Sequence, residues 1–226
     1  MNQRPHRITT VIFDCGSVIT FDQNWEYVRR MAEFFNADPL AFRDVYVRER
    51  PEYDRGVLSA MEYWHRVGSH FGVGVSGTEV EKLAELDMKS WFTINPDTLA
   101  IIRGLKRQGL QLLVLSNMNE EGKQWMYGPA RYCEGIDWIA LFDQIILSCD
   151  LKLLKPEPQI YEACLSRAGV PASHCIFIDD SEVNVRAAQA LGIHAIRFES
   201  AEKLLWQLSS LNLPGMNVAS AVETMH

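Results

Sequence analysis

The sequence lacks several features that mark specialised classes of protein. No apolar run approaches the roughly 20 residues that cross a bilayer, and the run from Ile8 to Phe13 stops at Asp14. No CxxC pair and no cysteine–histidine spacing suits zinc. Acidic residues outnumber basic ones by 29 to 22, which leaves no positive excess for a polyanion. We therefore expect a cytoplasmic protein without a signal peptide, a membrane contact or a nucleic-acid partner.

The composition is typical of a folded globular protein. Of its 226 residues, 47% are hydrophobic and 23% are charged, which suits one large core or a core with a smaller module. The sequence favours neither a monomer nor a homodimer. The cysteines are scattered and odd in number, which favours buried thiols in a reducing compartment: Cys15, Cys133, Cys149, Cys164 and Cys175.

Short apolar runs alternate with segments of helical periodicity. Such alternation predicts an α/β fold, in which helices cover both faces of a parallel sheet. Asn95-Pro96 is typical of a helix start and Gly109 of a helix end, while Ser181 is predicted to cap a later helix. The predicted strands are Thr10–Phe13, Gln111–Leu115, Gln144–Leu147, Cys175–Ile178 and Ile193–Phe198.

Residues 21–90 show helical spacing and no convincing strand. They interrupt the α/β unit directly after its first strand, at the edge where parallel sheets bind ligands. We therefore predict that this insert is a small helical bundle that acts as a lid. Its predicted helix starts are Asp38-Pro39 and the capping boxes Ser59–Glu62 and Thr78–Glu81. The predicted domains are a core at 1–20 and 91–214, a helical cap at 21–90 and a polar tail at 215–226.

Four polar sites occur in order along the predicted core. Asp14 ends the first strand, Ser116-Asn117 follows the second, Lys155 precedes a proline that opens a helix, and Asp179-Asp180 follows the fourth strand. In order and strand context they resemble the four motifs of the haloacid dehalogenase (HAD) superfamily. The resemblance covers about residues 8–212. It implies a Rossmann-like core with a helical cap and a hydrolase that acts on a small phosphorylated metabolite.

The resemblance also implies a nucleophile and a metal. Asp14 would attack the phosphorus of a phosphomonoester and form an aspartyl-phosphate. Because a carboxylate and a phosphate dianion repel each other, a cation has to bridge them. Mg²⁺ suits this role, since it prefers a few protein oxygens and keeps several waters. The implied ligands are Asp14, the main-chain carbonyl of Gly16, and Asp180.

The other matched residues receive supporting roles. Lys155 would offset negative charge in the transition state. Ser116 and the main-chain amide of Asn117 would donate hydrogen bonds to phosphate oxygens. Asp179 would support the site from behind the metal ligands. Asn184 stands where many members have another Asp, and its amide oxygen could accept from Lys155 or from a metal-bound water, although helix capping is a close alternative.

Gly16 departs from the motif of most phosphatases of this superfamily. They carry a second Asp there, which donates a proton to the leaving oxygen and then accepts one from water. An Asp-x-Gly motif occurs in a branch that the chain resembles more closely, which includes bacterial α-glucose-1-phosphate phosphatases and is related to the phosphatase domain of soluble epoxide hydrolase. This likeness favours a sugar phosphate. Asp22 is an alternative acid, or else a helix cap.

Three points stay open from the residues alone. Substrate choice could depend on the lid and on an aromatic stretch whose members are more often core residues: Trp125, Tyr127, Tyr132 and Trp138. The same fold could support cleavage of a 2-haloacid by Asp14 without a metal, although Asp179-Asp180 favours magnesium. Gly16 could also mark a catalytically silent binding or regulatory protein.

Overall fold

The computed structural model describes residues 7–211 and 213, so the predicted tail at 215–226 lies outside the described residues. The strands are β1 (Thr10–Phe13), β2 (Gln111–Ser116), β3 (Tyr132–Cys133), β4 (Ile136–Asp137), β5 (Gln144–Leu147), β6 (Cys175–Asp179) and β7 (His194–Arg197). Five of them form a parallel sheet in the order β5-β2-β1-β6-β7, and β3 pairs with β4 separately. The sheet contains all five predicted strands.

Helices cover both faces of the sheet, which confirms the predicted α/β fold. The helices are α1 (Trp25–Phe34), α2 (Pro39–Asp54), α3 (Ala60–Phe71), α4 (Gly77–Trp91), α5 (Pro96–Arg107), α6 (Glu120–Tyr127), α7 (Ser148–Leu151), α8 (Pro158–Ala168), α9 (Glu182–Ala190) and α10 (Ala201–Ser210). Residues of β1 alternate between two buried clusters, one shared with α5 and α10 and the other with α8 and α9. Among these described helices, none is long and apolar enough to cross a membrane.

Helices α1 to α4 bury a cluster of their own inside the insert. Its largest side chains are stacked or tilted aromatic rings, with Phe35 lying 5.6 Å from Phe42 and 6.3 Å from Trp64 between ring centroids. Aromatic pairs at such distances add to the free energy gained from burying their area. The helices of the insert follow the helical spacing read from the sequence, while its boundaries at residues 21 and 90 stay a prediction.

The helix starts of the insert are partly those predicted. Asp38 accepts hydrogen bonds from the amides of Leu40 and Ala41, and the Ser59–Glu62 capping box is present. The box predicted at Thr78–Glu81 is wrong, because α4 starts earlier and its box is Ser76–Glu79. Both pairs satisfy the same sequence pattern, and only the backbone decides which one lies at the first turn.

Two further capping predictions need correction. Asn24, and not Asp22, is the N-cap residue of α1 and accepts from the amide of Glu26. Ser181 stands at the N-cap position of α9, but its side chain makes no capping hydrogen bond. The predicted end of α5 is confirmed, since Gly109 has a φ of +78°, which other residues rarely adopt.

The end of α2 contacts the core at several points. The Oγ of Ser148 donates to the carbonyl of Asp54, and the Nζ of Lys152 donates to the carbonyl of Gly56 at 2.6 Å. The Nη1 of Arg55 donates to the Oε2 of Glu157 at 3.0 Å. These contacts hold the insert over the carboxyl edge of the sheet.

Candidate active site

Asp14 lies at the carboxyl edge of the sheet, directly after β1. This strand lies between β2 and β6, so the residues that follow all three strands meet beside it. The Oδ1 of Asp14 accepts from the amide of Cys15 at 2.7 Å, and only 8% of the residue is exposed. The nucleophile predicted from the sequence is therefore buried at the position expected for a ligand-binding carboxylate.

Lys155 lies between two carboxylates. Its Nζ is 2.7 Å from the Oδ1 of Asp14 and 2.7 Å from the Oδ2 of Asp179. The lysine is 5% exposed and Asp179 is fully buried. A buried charge is tolerated when it is paired and hydrogen-bonded. The structure therefore brings the first, third and fourth motifs into direct contact.

Asp179 is saturated with hydrogen bonds. Its Oδ1 accepts from the amide of Ser181 at 2.9 Å, and both oxygens accept from the Nδ2 of Asn184 at 3.0 and 3.1 Å. With Lys155 as a further donor, this carboxylate acts as a fixed support of the lysine. For Asn184, the structure places the amide nitrogen on Asp179 and shows no bond from its amide oxygen to Lys155.

Three carboxyl groups crowd one lysine. One oxygen from each of Asp14, Asp179 and Asp180 lies within 4.8 Å of the others. Burial raises the pKa of Asp14 to about 7; Lys155 opposes this rise, and Asp179 and Asp180 add to it. Burial and the proximity of Asp179 raise the pKa of Asp180. The site therefore holds more negative charge than its lysine offsets, and its oxygens are of the kind that Mg²⁺ prefers.

The second motif, Ser116-Asn117, lines the cavity and also holds the main chain of Lys155. Ser116 ends β2, is 3% exposed and lines the cavity beside Asp14. The side chain of Asn117 accepts from the amide of Lys155 at 2.8 Å and donates to its carbonyl at 3.0 Å. The sequence did not predict this pair of hydrogen bonds, which clamps the main chain of Lys155. It gave a role only to the main-chain amide of Asn117. The side chain's amide at a strand end is the signal that could have revealed it.

A cavity of about 430 Å³ lies between the core and the insert. The core contributes the motif residues, and helix α2 contributes a stripe of residues at helical spacing: Arg43, Val47, Arg50 and Asp54. Trp91 and Phe92 also line it, whereas the aromatic stretch predicted as a possible substrate platform does not. Trp138 of that stretch is buried in the core. The aromatic side chains that line the cavity therefore come from helix α2, from the last residue of α4 and from the residue that follows it.

A second buried charge network stands in the insert. The Nη1 of Arg50 lies 2.9 Å from each oxygen of Asp87, which is fully buried. Tyr46 accepts from Arg50, donates to Asp87 and accepts from the Nε1 of Trp91 at 2.9 Å. The Nε of Arg50 also donates to the Oδ2 of Asp54 at 3.2 Å. These contacts fix the side of α2 that lines the cavity.

Gly16 lines the cavity without contributing an acid. A Cβ built on it meets only the ring of Trp91, at 3.8 Å, so space alone does not explain the glycine. Asp22 does not line the cavity that holds Asp14. It borders a separate cleft that also touches Asp180. The geometry therefore disfavours Asp22 as a substitute acid.

Two known proteins resemble the chain over very different shares of their own length. D-ribitol-5-phosphate phosphatase of Bacteroides thetaiotaomicron is 26% identical over 200 residues, covering 85% of this chain and 93% of that protein. Acyl-CoA dehydrogenase family member 10 of Mus musculus is 31% identical over 110 residues, which is 49% of this chain and 10% of that protein. The chain thus spans a tenth of the mouse protein and most of the bacterial one.

A solved structure and a family model complete the comparison. A HAD family enzyme from Bacteroides thetaiotaomicron, in complex with magnesium and inorganic phosphate, superimposes with a TM-score of 0.67. The two chains are 23% identical over 85% of this chain and 94% of the other. The model of the haloacid dehalogenase-like hydrolases matches residues 8–192. The chain therefore belongs to the haloacid dehalogenase-like hydrolases, as its motifs predict.

Proposed function

We propose that the protein is a magnesium-dependent phosphatase that cleaves a small phosphomonoester through an aspartyl-phosphate on Asp14. The observation that carries this proposal is the contact of the Nζ of Lys155 with the Oδ1 of Asp14 at 2.7 Å, inside a cluster of three carboxyl groups. A buried carboxylate beside a fixed cation, open to a cavity, is suited to nucleophilic attack on phosphorus.

The residues of the core share the work of the reaction. An oxygen of Asp14 bonds to phosphorus as the bond from phosphorus to the leaving oxygen breaks, and water then releases phosphate and restores the carboxylate. Lys155 offsets negative charge in the trigonal transition state. The hydroxyl of Ser116 and the main-chain amide of Asn117 donate to phosphate oxygens. Asn117 also keeps Lys155 in place through its side chain.

The donor set fits magnesium. We assign its ligands to Asp14, Asp180 and the main-chain carbonyl of Gly16, because Asp179 already accepts from Lys155, Ser181 and Asn184. When bound, a divalent cation offsets the repulsion between the nucleophile and the phosphate. The related enzyme solved with magnesium and phosphate supports this assignment through its shared fold.

A sugar or polyol phosphate is the favoured substrate class. The D-ribitol-5-phosphate phosphatase resembles the chain over 85% of the chain and 93% of its own length. The Asp-x-Gly motif at Asp14 to Gly16 resembles that of the α-glucose-1-phosphate phosphatase branch. A cavity of about 430 Å³ suits a small molecule. Arg50 and Asp54 in its wall offer polar groups to hydroxyls.

Cleavage of a 2-haloacid and a catalytically silent binding or regulatory role have less support than the phosphatase function. A haloacid carries its own carboxylate, and the crowding of Asp14, Asp179 and Asp180 disfavours a second anion without a metal. The intact contact between Lys155 and Asp14 disfavours decay of the site.

The test is a panel of sugar and nucleotide monophosphates with p-nitrophenyl phosphate, assayed with and without Mg²⁺. We expect turnover that chelation with EDTA removes and that Asp14→Asn abolishes while the circular dichroism spectrum is retained. Full turnover of these phosphomonoesters in EDTA would exclude the magnesium-dependent scheme. An inactive wild type, or an active Asp14→Asn variant, would contradict the proposed function.

A further inference from the structure

The cavity contains a carboxyl group that takes no part in the bond-making and bond-breaking steps outlined above. Among the residues that the structure describes, Asp14, Asp54 and Asp180 are the carboxyl groups that line it. Asp14 is assigned as the nucleophile and Asp180 as a metal ligand. Asp54 is left, at the last position of α2. Its position matters because Gly16 provides no acid for the leaving oxygen.

Asp54 belongs to the wall of the cavity that helix α2 forms. In phosphoryl transfer the attacking and leaving oxygens are roughly in line on opposite sides of phosphorus. Asp14 attacks from the sheet edge, where Ser116 and Lys155 also lie. A leaving oxygen therefore points away from the core and toward the wall formed by α2, whose carboxyl group is Asp54.

The contacts of Asp54 leave room for a proton. Its Oδ1 accepts from the Nδ2 of Asn119 at 3.1 Å, and its Oδ2 accepts from the Nε of Arg50 at 3.2 Å. Each carboxyl oxygen has two acceptor positions, so one on each oxygen stays available. The side chain is 14% exposed. Asn119 also ties the group to the loop after Ser116.

The environment of Asp54 suits proton transfer near neutral pH. Burial raises its pKa to about 6, although Arg50 opposes that rise. An acid with a pKa near the working pH can both donate and accept a proton at a useful rate. After donation, the carboxylate is stabilised by the guanidinium of Arg50 and the amide of Asn119.

We propose that Asp54 is the general acid and base of this enzyme, supplied by the insert in place of an acid at position 16. In the first step its proton goes to the leaving oxygen as that oxygen separates from phosphorus, which yields the alcohol and the phosphorylated Asp14. In the second step its carboxylate accepts a proton from the water that attacks phosphorus, and Asp14 and inorganic phosphate are released. This assignment rests on the proposed phosphatase function.

A purely structural role for Asp54 makes a different prediction. If the group only joins Arg50 to Asn119, its loss disturbs the cavity for every substrate alike. If it donates a proton, its loss matters most for leaving groups that are strongly basic, because a stable leaving anion needs little protonation. The dependence on the leaving group therefore separates the two roles.

The experiment compares Asp54→Asn with the wild type on phenyl phosphate and p-nitrophenyl phosphate, which are similar in size and differ in the basicity of the leaving oxygen. We expect kcat/KM for phenyl phosphate to fall by about 10²-fold or more, and kcat/KM for p-nitrophenyl phosphate to fall far less. Equal losses on both substrates, or no loss on either, would overturn the assignment. An inactive wild type or an active Asp14→Asn variant would instead refute the underlying phosphatase function.

A second measurement needs no variant, in case Asp54→Asn fails to fold. The wild type is assayed on a series of substituted phenyl phosphates that spans leaving-group basicity. A shallow dependence of kcat/KM on basicity supports proton donation in the transition state. A steep dependence overturns it, since the leaving oxygen would then depart as an anion.

Discussion

The core and the insert each hold a cation between carboxylates, yet the two networks differ in which acceptor positions they leave free. Lys155 bridges Asp14 and Asp179 at the sheet edge, while Arg50 bridges Asp87 and Asp54 in the insert. In both, a buried residue completes the network on one side: Asp179 in the core and Asp87 in the insert. In both, the other carboxyl group faces the cavity.

One carboxylate of each network has a structural role. Asp179 and Asp87 have several fixed donors and no exposure, so they anchor the cations. Asp14 and Asp54 keep acceptor capacity toward the cavity, and burial raises the pKa of both. The cavity is therefore lined from both sides by a carboxyl group that a cation orients, and substitutions can separate anchoring from chemistry.

The largest effect is expected from removing the core cation. Lys155→Met leaves Asp14 and Asp179 close together without a counter-charge, so we expect turnover of p-nitrophenyl phosphate to fall by about 10²–10³-fold or more. Removing one partner of a buried ion pair also costs about 3–5 kcal/mol of unfolding free energy. Urea unfolding would measure it. Lys203→Met, on the exposed face of α10, is the control and should change neither quantity appreciably. A Lys155→Met variant with near wild-type turnover would contradict the role of the lysine.

The second-largest effect is expected from removing Asp87, the buried acceptor of the network in the insert. Asp87→Ala leaves Arg50 and Tyr46 without their buried acceptor, and we expect a loss of about 3–5 kcal/mol in urea unfolding. Asp44→Ala, at an exposed position of α2, should change stability by no more than about 0.5 kcal/mol. If both variants were equally stable, the network would be dispensable for the insert.

The smallest effect concerns the pH dependence of stability at Asp54. The folded protein keeps the proton of this group up to a pH of about 6, whereas the unfolded chain loses it near pH 3.8, the ordinary pKa of an aspartate side chain. The group's contribution to the unfolding free energy is therefore fully present below the lower value and is lost as pH rises through the higher one. The loss is at most about 3 kcal/mol. The measurement is urea unfolding of the wild type and of Asp54→Asn at several pH values. We expect the unfolding free energy of the wild type, relative to that of the variant, to decrease as pH rises from about 4 to about 6. A difference independent of pH would show that burial does not shift the pKa of the group.

Much of the core site could be predicted because each motif follows a strand. In a parallel sheet, neighbouring strands end at one edge, so Asp14, Ser116 and Asp179 had to meet once the strands were correct. The clamp of Asn117 on Lys155 could not be predicted in this way. It depends on how the loop between α7 and α8 returns to the sheet, which no local spacing specifies.

The insert was predictable as helices but not as a cavity wall. Helical spacing identifies its buried residues, such as Phe42 and Tyr46, since apolar faces turn inward. It cannot tell whether polar residues at the same spacing, such as Arg43 and Arg50, face solvent or a cavity. The sequence left the aromatic stretch open between core and substrate platform for a similar reason, and Trp138 is a core residue.

Local patterns in the sequence were enough to predict the α/β fold, the order of the motifs and the candidate nucleophile, because strand and helix periodicity and the residues at strand ends are local properties of the chain. The folded structure was needed to see that Asp54 faces the same cavity as Asp14 and that burial raises the pKa of both carboxyl groups. Desolvation and charge–charge interactions depend on distances between residues that are far apart in the chain, and folding alone sets those distances.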